Sequence, residues 1–220
     1  MPYNSKHDQL FFIHIPKNAG TSVEHAAKMD TMTDATIHYP DGRLSCDPKI
    51  SLQHFTLKLL EKELPWIKTK TLFAVTRDPY KRLVSAYRFK LKYNFDHVKS
   101  MMRDPNNINF EEYVRVSFSR CEAYRNNLLA GGYDHNLYLR QHEFVDGETP
   151  VKIFRLEDGV HYIEEYISSF YGWPVKIDTV NTTEKARPYT EFYNNPSFKE
   201  FIDEYYHEDF ERYGYDRKLS

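Results

Sequence analysis

Residues 11 to 29, FFIHIPKNAGTSVEHAAKM, constrain what this chain can fold into more than any other stretch. Phe11-Phe12-Ile13-His14-Ile15 reads as a short strand, and Thr21 to Met29 can continue as a helix. Pro16 to Gly20 must then turn the chain between them. A strand feeding a helix through a tight turn leaves backbone N–H groups converging on one point, where an anion is favoured. The amides of Asn18, Ala19, Gly20, Thr21 and Ser22 form that set; Gly20 permits close backbone approach, and Thr21 and Ser22 add hydroxyl donors. Lys17 brings a mobile positive charge to the mouth of the turn. The pattern is not the nucleotide-binding GxxxxGK[ST], because the lysine precedes the only glycine. Spacing alone leaves two readings open, an anion-binding turn or an ordinary strand–helix junction with a solvated lysine.

A chain of 220 residues suits a single domain with a sizeable core. Its net charge of −2 supplies no whole-protein argument for nucleic-acid or membrane binding, so any basic site must be local. Tyr and Phe number 18 and 15, enough to build a core and also to line a groove, with packing the default for most of them. Cys46 and Cys121 have no metal-ligand spacing and allow at most one disulfide. No apolar run reaches the roughly 18 residues of a membrane span, and the N-terminus has no apolar signal block. The default compartment is the cytoplasm, although the excised luminal domain of a membrane enzyme has the same appearance.

Taken in order, residues 1 to 10 read as a polar lead-in and residues 30 to 48 as a loop broken by Pro40, Gly42 and Pro48. Lys49 to Phe55 predicts a second short strand, and Thr56 an N-cap for a helix that stops at Pro65. Thr71 to Val75 predicts a buried parallel strand, followed by a helix with Pro79 in its first turn. Lys90 to Asn107 reads as a frayed helix end and surface loop, and Asn109 as the cap of the next helix. Around YLRQHEFV the pattern is irregular or briefly helical. Val151 to Arg155 is another strand, then a helix ended by Gly172-Trp173-Pro174, and one long helix from about Ser197 closes the chain. Alternating strands and helices predict an α/β fold, a single-domain P-loop-like parallel sheet flanked by helices, spanning residues 1–220. Ligand-binding loops collect at the carboxyl ends of such strands. The Ile15–Gly20 turn, the His54 junction, the Thr76–Asp78 turn and the end of the Ile153 strand are therefore expected to share one rim.

Several residues on that rim carry chemistry. Arg77 follows a strand, with Ser85 eight residues on, about two helical turns away. A guanidinium grips phosphate bidentately and a hydroxyl adds one directional bond. From spacing alone Arg77 is as well explained by a salt bridge to Asp78, and Arg82 by a local ion pair. His54 reads either as a surface or helix-capping histidine or as a general base near neutral pH. Glu24, His25, His14 and Asp41 are alternative bases.

The strings are more specific than the spacing. IPKNAGTS resembles the 5'-phosphosulfate loop of sulfotransferases that use 3'-phosphoadenosine 5'-phosphosulfate (PAPS), especially carbohydrate sulfotransferases with PK(T/A)xGT(S/T). TRDPYKRLVSAY is similar to the 3'-phosphate motif of that family, RxPxxRxxSxY. LQHFTLKLLEKEL ahead of LFAVTRDP resembles the HxT segment of Golgi-type carbohydrate sulfotransferases and the catalytic-histidine region of uronosyl 2-O-sulfotransferases. KIFRLEDG, NTTEKARPY and YYHEDFERYGYD resemble later segments of the same family. The resemblance implies the sulfotransferase fold and direct in-line transfer from PAPS to an alcohol of a carbohydrate or glycoconjugate. The product is 3'-phosphoadenosine 5'-phosphate (PAP), and no metal is required. By position Lys17 assists departure of the leaving phosphate, His54 takes the proton, Asn18 to Ser22 hold the 5'-phosphate, and Arg77 with Ser85 grips the 3'-phosphate. Lys185 and Arg187 cover the phosphates, and Glu157 organises the rim. Two departures stand out: Asn18 replaces the commoner threonine, and the chain is short for a glycosaminoglycan enzyme. Competing classes are a nucleotide-dependent phosphotransferase and a non-catalytic glycan-binding protein on the same fold.

Overall fold

A computed structural model describes residues 2–3, 9–31, 52–123, 136–178 and 187–219. Its centre is a sheet of five strands, β1 (Pro2–Tyr3), β2 (Leu10–Ile13), β3 (Asp30–Thr31), β4 (Thr71–Thr76) and β5 (Val151–Arg155), in the order β3-β1-β2-β4-β5. The strands β2, β4 and β5 run parallel, with Leu10 opposite Thr71 and Leu72 opposite Val151. The two short strands β1 and β3 extend the far edge antiparallel, so the polar lead-in contributes a strand that its composition did not announce.

Helices cover both faces, which is why β2 and the interior of β4 are continuously apolar rather than alternating. Side chains of a strand still alternate between faces. Leu10, Phe12, Phe73 and Val75 pack under α1 (Gly20–Ala26) and the helix Val160–Tyr171, through Val23, Ile163 and Ile167. Phe11, Ile13, Leu72 and Ala74 face the larger layer. That layer holds α2 (Leu57–Glu63), α3 (Pro79–Tyr93), α4 (Phe95–Ser100), α5 (Phe110–Ala123) and α6 (Gln141–Val145). With Val160–Tyr171 numbered α7, the chain closes on α8 (Pro196–Tyr205) and α9 (His207–Tyr213). Rings from α3, α5, α8 and the Tyr189–Tyr193 turn interlock, as in Phe110 edge-on to Phe198 at 5.7 Å and Tyr87 to Phe110 at 5.0 Å. Most of the aromatic excess is therefore core.

Local signals set most element bounds. Asp78 accepts from the Lys81 amide at 3.0 Å ahead of Pro79, and Asn109 accepts from the Glu112 amide at 3.0 Å. Three expectations need correction. Leu52–His54 is a single 3-10 turn, not a strand, because Gln53 and His54 are drawn inward to Glu24 and the His14 carbonyl. The Lys90–Asn107 stretch holds a further helix, α4, whose Val98 is fully buried. The last helix is broken at Tyr206, which is buried and donates its hydroxyl to the Tyr138 carbonyl. Cys121 is buried in the core, whereas Cys46 and Asp41 lie outside the described residues. Among the described residues no helix is long and apolar enough to cross a membrane.

Candidate active site

The carboxyl ends of β2, β4 and β5 lie side by side, and the turns that leave them meet at one rim. The turn after β2 has a demanding backbone: Lys17 and Ala19 both take left-handed conformations, at φ 70° and 61°. Each such non-glycine residue costs about 1–2 kcal/mol, so the surrounding bonds must hold the turn in place. Asn18 does so from inside. Its fully buried side chain donates to the Val75 carbonyl at 2.8 Å and to Gln141 Oε1 at 2.7 Å. This side chain therefore anchors the turn and leaves any anion contact at this position to the backbone.

Gly20 is required for a different reason from the one its motif suggests. A Cβ there would fall 2.1 Å from Nε2 of His14, so the glycine makes room for an imidazole. That ring, buried beneath the turn, is bonded through Nδ1 to Glu24, whose carboxylate also accepts from Gln53 at 2.8 Å. Ser22 is buried, and its amide is donated to the Ala19 carbonyl at 3.0 Å. Of the expected phosphate donors in this loop, Ser22 is thus turned into the fold, and Thr21 is the exposed hydroxyl.

A cleft of about 490 Å³ opens beside the turn, and its wall is built from segments far apart in sequence. Lys17 and Thr21 line it from the turn, Arg77 from the end of β4, Ser85 from α3, and Arg187 from the other side. Lys81, Arg88 and Lys92 add further positive charge, and among the described residues no carboxylate lines it. Five residues singled out from the sequence are thereby brought together, in a chain whose net charge is −2. Lys185 lies outside the described residues, and Arg187 bonds Glu191 at 2.7 Å.

The Lys17 ammonium sits 3.9 Å above the Phe89 ring. Burial, and then the neighbouring Arg77 charge, pull its pKa down from 10.5 to about 8. Arg77 reaches back to the Lys17 carbonyl at 3.2 Å. Its own turn is fixed by Glu157, which accepts the Asp78 amide at 3.0 Å, and by Gln141. Arg82 proves to be a tie rather than half of an ion pair. It is buried and donates to the Pro16 carbonyl at 3.1 Å and the Leu139 carbonyl at 2.8 Å.

His54 is brought to the same end of the sheet without forming part of the cleft wall. It is 5% exposed, edge-on to His14 at 4.7 Å, with Nδ1 3.3 Å from the His14 carbonyl. A carbonyl only accepts, so Nδ1 carries the proton and Nε2 is the basic nitrogen. Burial chiefly, then the nearby His14 and Lys17, hold its pKa well below 6.5, so the ring is neutral near pH 7. Glu24 and His14 are committed to each other, and His25 is exposed on α1.

Sequence reasoning missed Gln141 and Asp209, both fully buried; nothing local marks a glutamine or an aspartate as the partner of a distant turn. Among the described residues His142, Asp146 and Glu208 have ligand atoms close enough for a metal ion, but Arg212 already bonds Asp146 at 2.6 Å.

A cationic cleft across the carboxyl rim of parallel strands suits an anionic ligand. The family model described as the sulfotransferase family matches residues 3–143, and the chain belongs to that family. It is a transferase of sulfuryl groups to a hydroxyl-bearing acceptor, in a family that generally uses PAPS. No curated protein and no solved structure matches the chain.

Proposed function

We propose that this enzyme transfers the sulfuryl group of PAPS directly to an alcohol of a carbohydrate or glycoconjugate, and that residues 1–220 form one sulfotransferase domain. The observation that carries the reading is the convergence of Lys17, Thr21, Arg77, Ser85 and Arg187 on one cationic cleft. Guanidinium, ammonium and hydroxyl donors are the set that a nucleotide with phosphates at both ends of its ribose requires. The carbohydrate assignment rests on the likeness of IPKNAGTS and the His54 segment to carbohydrate sulfotransferases.

In this reading PAPS supplies an activated sulfuryl group on a good leaving group. Arg77 and Ser85 hold the 3'-phosphate, and the Asn18–Thr21 amides hold the 5'-phosphate. Nε2 of His54 takes the proton from the acceptor hydroxyl as its oxygen bonds to sulfur. The electron pair of the broken S–O bond stays on the bridging oxygen, where the Lys17 ammonium neutralises it. The products are a sulfate ester and PAP, with the proton on His54.

Calorimetric titration with PAP, beside 5'-AMP and ATP at equal ionic strength, tests the donor site. Tighter binding of PAP, weakened about tenfold or more by Arg77→Ala or Ser85→Ala, is the expected result. Equal affinity for the three nucleotides would remove PAPS as donor. Turnover of a panel of sugar, phenol and lipid alcohols with PAPS then tests the acceptor class.

A further inference from the structure

Gln141 lies in none of the motifs and outside the cleft wall, yet both turns that form the cleft are bonded to its side chain. Its Oε1 accepts from Asn18 Nδ2 at 2.7 Å and from the Arg77 amide at 2.9 Å, while Nε2 donates to the Arg77 carbonyl at 2.8 Å. Rotating the amide would set N–H against N–H and oxygen against oxygen, so these partners fix its orientation. The residue is 0% exposed, and its own amide is held by Asp209 Oδ2 at 2.7 Å. A rigid base outside the cleft therefore fastens the turn after β2 to the turn after β4.

We propose that Gln141 is a positioning residue that sets the distance between the Lys17 turn and Arg77, and so selects a donor phosphorylated at both the 3' and 5' positions. The inference rests on the PAPS reading above. A ligand that spans both turns gains from both only when their separation matches that of its phosphates. A ligand with a 5'-phosphate alone engages one turn and is indifferent to the spacing. Loosening Gln141 should accordingly weaken PAP while leaving 5'-AMP nearly unchanged, a discrimination that general loss of stability does not produce.

The test is titration of wild type, Gln141→Leu and Gln141→Glu with PAP and with 5'-AMP, well below each variant's melting temperature. Gln141→Glu is nearly isosteric; ionised, it keeps both accepting bonds but sets a carboxylate oxygen against the Arg77 carbonyl in place of the donation, so it serves if the leucine variant does not fold. Glu164→Ala, which removes the acceptor of the Ile177 amide on the opposite face, is the control for destabilisation. We expect PAP affinity to fall about tenfold in Gln141→Leu, and in the same direction in Gln141→Glu, with 5'-AMP changed less than about twofold. The control should leave the ratio of the two affinities at its wild-type value. Equal loss for both ligands, or no loss, overturns the inference, as does failure of both variants to fold, which would make Gln141 a residue of folding alone. A wild type without preference for PAP removes the donor reading itself, and this inference with it.

Discussion

At the scale of single residues, the proposed transfer pairs a lysine that loses its charge only above neutral pH with a histidine that is kept neutral. In that proposal Lys17, with its pKa drawn down to about 8, must carry its proton to neutralise the leaving oxygen. His54 must lack one to accept, and burial secures that across neutral pH. The donor kcat/KM, which reports the free enzyme, should stay level through neutral pH and decline above pH 8 as Lys17 loses its proton. Lys17→Arg, always charged, should remove that alkaline decline, while Lys17→Ala should lower turnover about 100-fold or more with unchanged far-UV dichroism. Initial rates across pH check both, and near-normal turnover of Lys17→Ala at saturating substrates would end its assigned role. Gly20 makes a second residue-scale case. Because the imidazole of His14 occupies the place of its Cβ at 2.1 Å, Gly20→Ala must displace a buried ring bonded to Glu24. The cost should be about 1–3 kcal/mol by urea unfolding. His14→Ala in the same chain should recover part of it, and strict additivity of the two changes would show that the ring is not the obstacle.

At the scale of elements, α6 is the piece that its own sequence cannot sustain. Five residues are too few for a stable isolated helix, and this one is capped from a distance. The buried Asp209 of α9 accepts the Gln141 amide at 2.7 Å, the His142 amide at 2.9 Å and His142 Nδ1 at 2.9 Å. Asp209→Asn should therefore cost about 1.5–3 kcal/mol in denaturant unfolding, and should loosen the cleft as well through Gln141. The proton on His142 provides a check with a definite sign. Burial lowers its pKa, but the hydrogen bond and charge of Asp209, helped by Glu208, outweigh that and raise it above 6.5. A raised folded value means that the stabilisation is full below pH 6.5 and is lost as pH climbs through the folded pKa. Asp209→Asn should flatten that slope, and an unaltered slope would place its origin elsewhere. The same element explains what was legible in the sequence. Strand β4, the Pro79 helix behind its Asp78 cap and the Asn109-capped helix carry their instructions within a few residues, and all were readable. The meeting of the Lys17 and Arg77 turns followed from the expected parallel sheet, and the place of Ser85 beside them from the likeness of TRDPYKRLVSAY to the 3'-phosphate motif. What escaped was set by remote partners: the tie of α6 to Asp209, the break at Tyr206 by the Tyr138 carbonyl, and the 3-10 turn at His54 by Glu24 and His14.

At the scale of the whole molecule, the question is whether the matched segment, residues 3–143, is a unit in itself. Its sheet is completed only from beyond it, which argues against an independent unit. The strand β5 supplies a neighbour for β4 along Leu72 to Thr76, and Glu157 just after it fixes the Arg77 turn. On one face Ile163 and Ile167 of α7 cover Phe12 and Phe73; on the other Phe198, Ile202 and Phe210 join the layer over Phe11 and Leu72. The buried Thr76 meets Tyr215 at 3.0 Å, so even the end of the chain returns to the rim. A fragment ending at Pro150 would strip β4 of β5 along its edge and of α7 on one face, take α8 and α9 from the layer on the other, and leave Gln141 without Asp209. Each buried side chain so exposed forfeits about 1.5–3 kcal/mol, and the loss of about five is comparable to the roughly 5–15 kcal/mol by which a domain is stable. We therefore expect the fragment to show no cooperative unfolding and no PAP binding, and the full chain to melt in one transition with equal calorimetric and van't Hoff enthalpies. A fragment that melts cooperatively and binds PAP, or a full chain with two separate transitions, would divide the molecule where the packing says it is continuous.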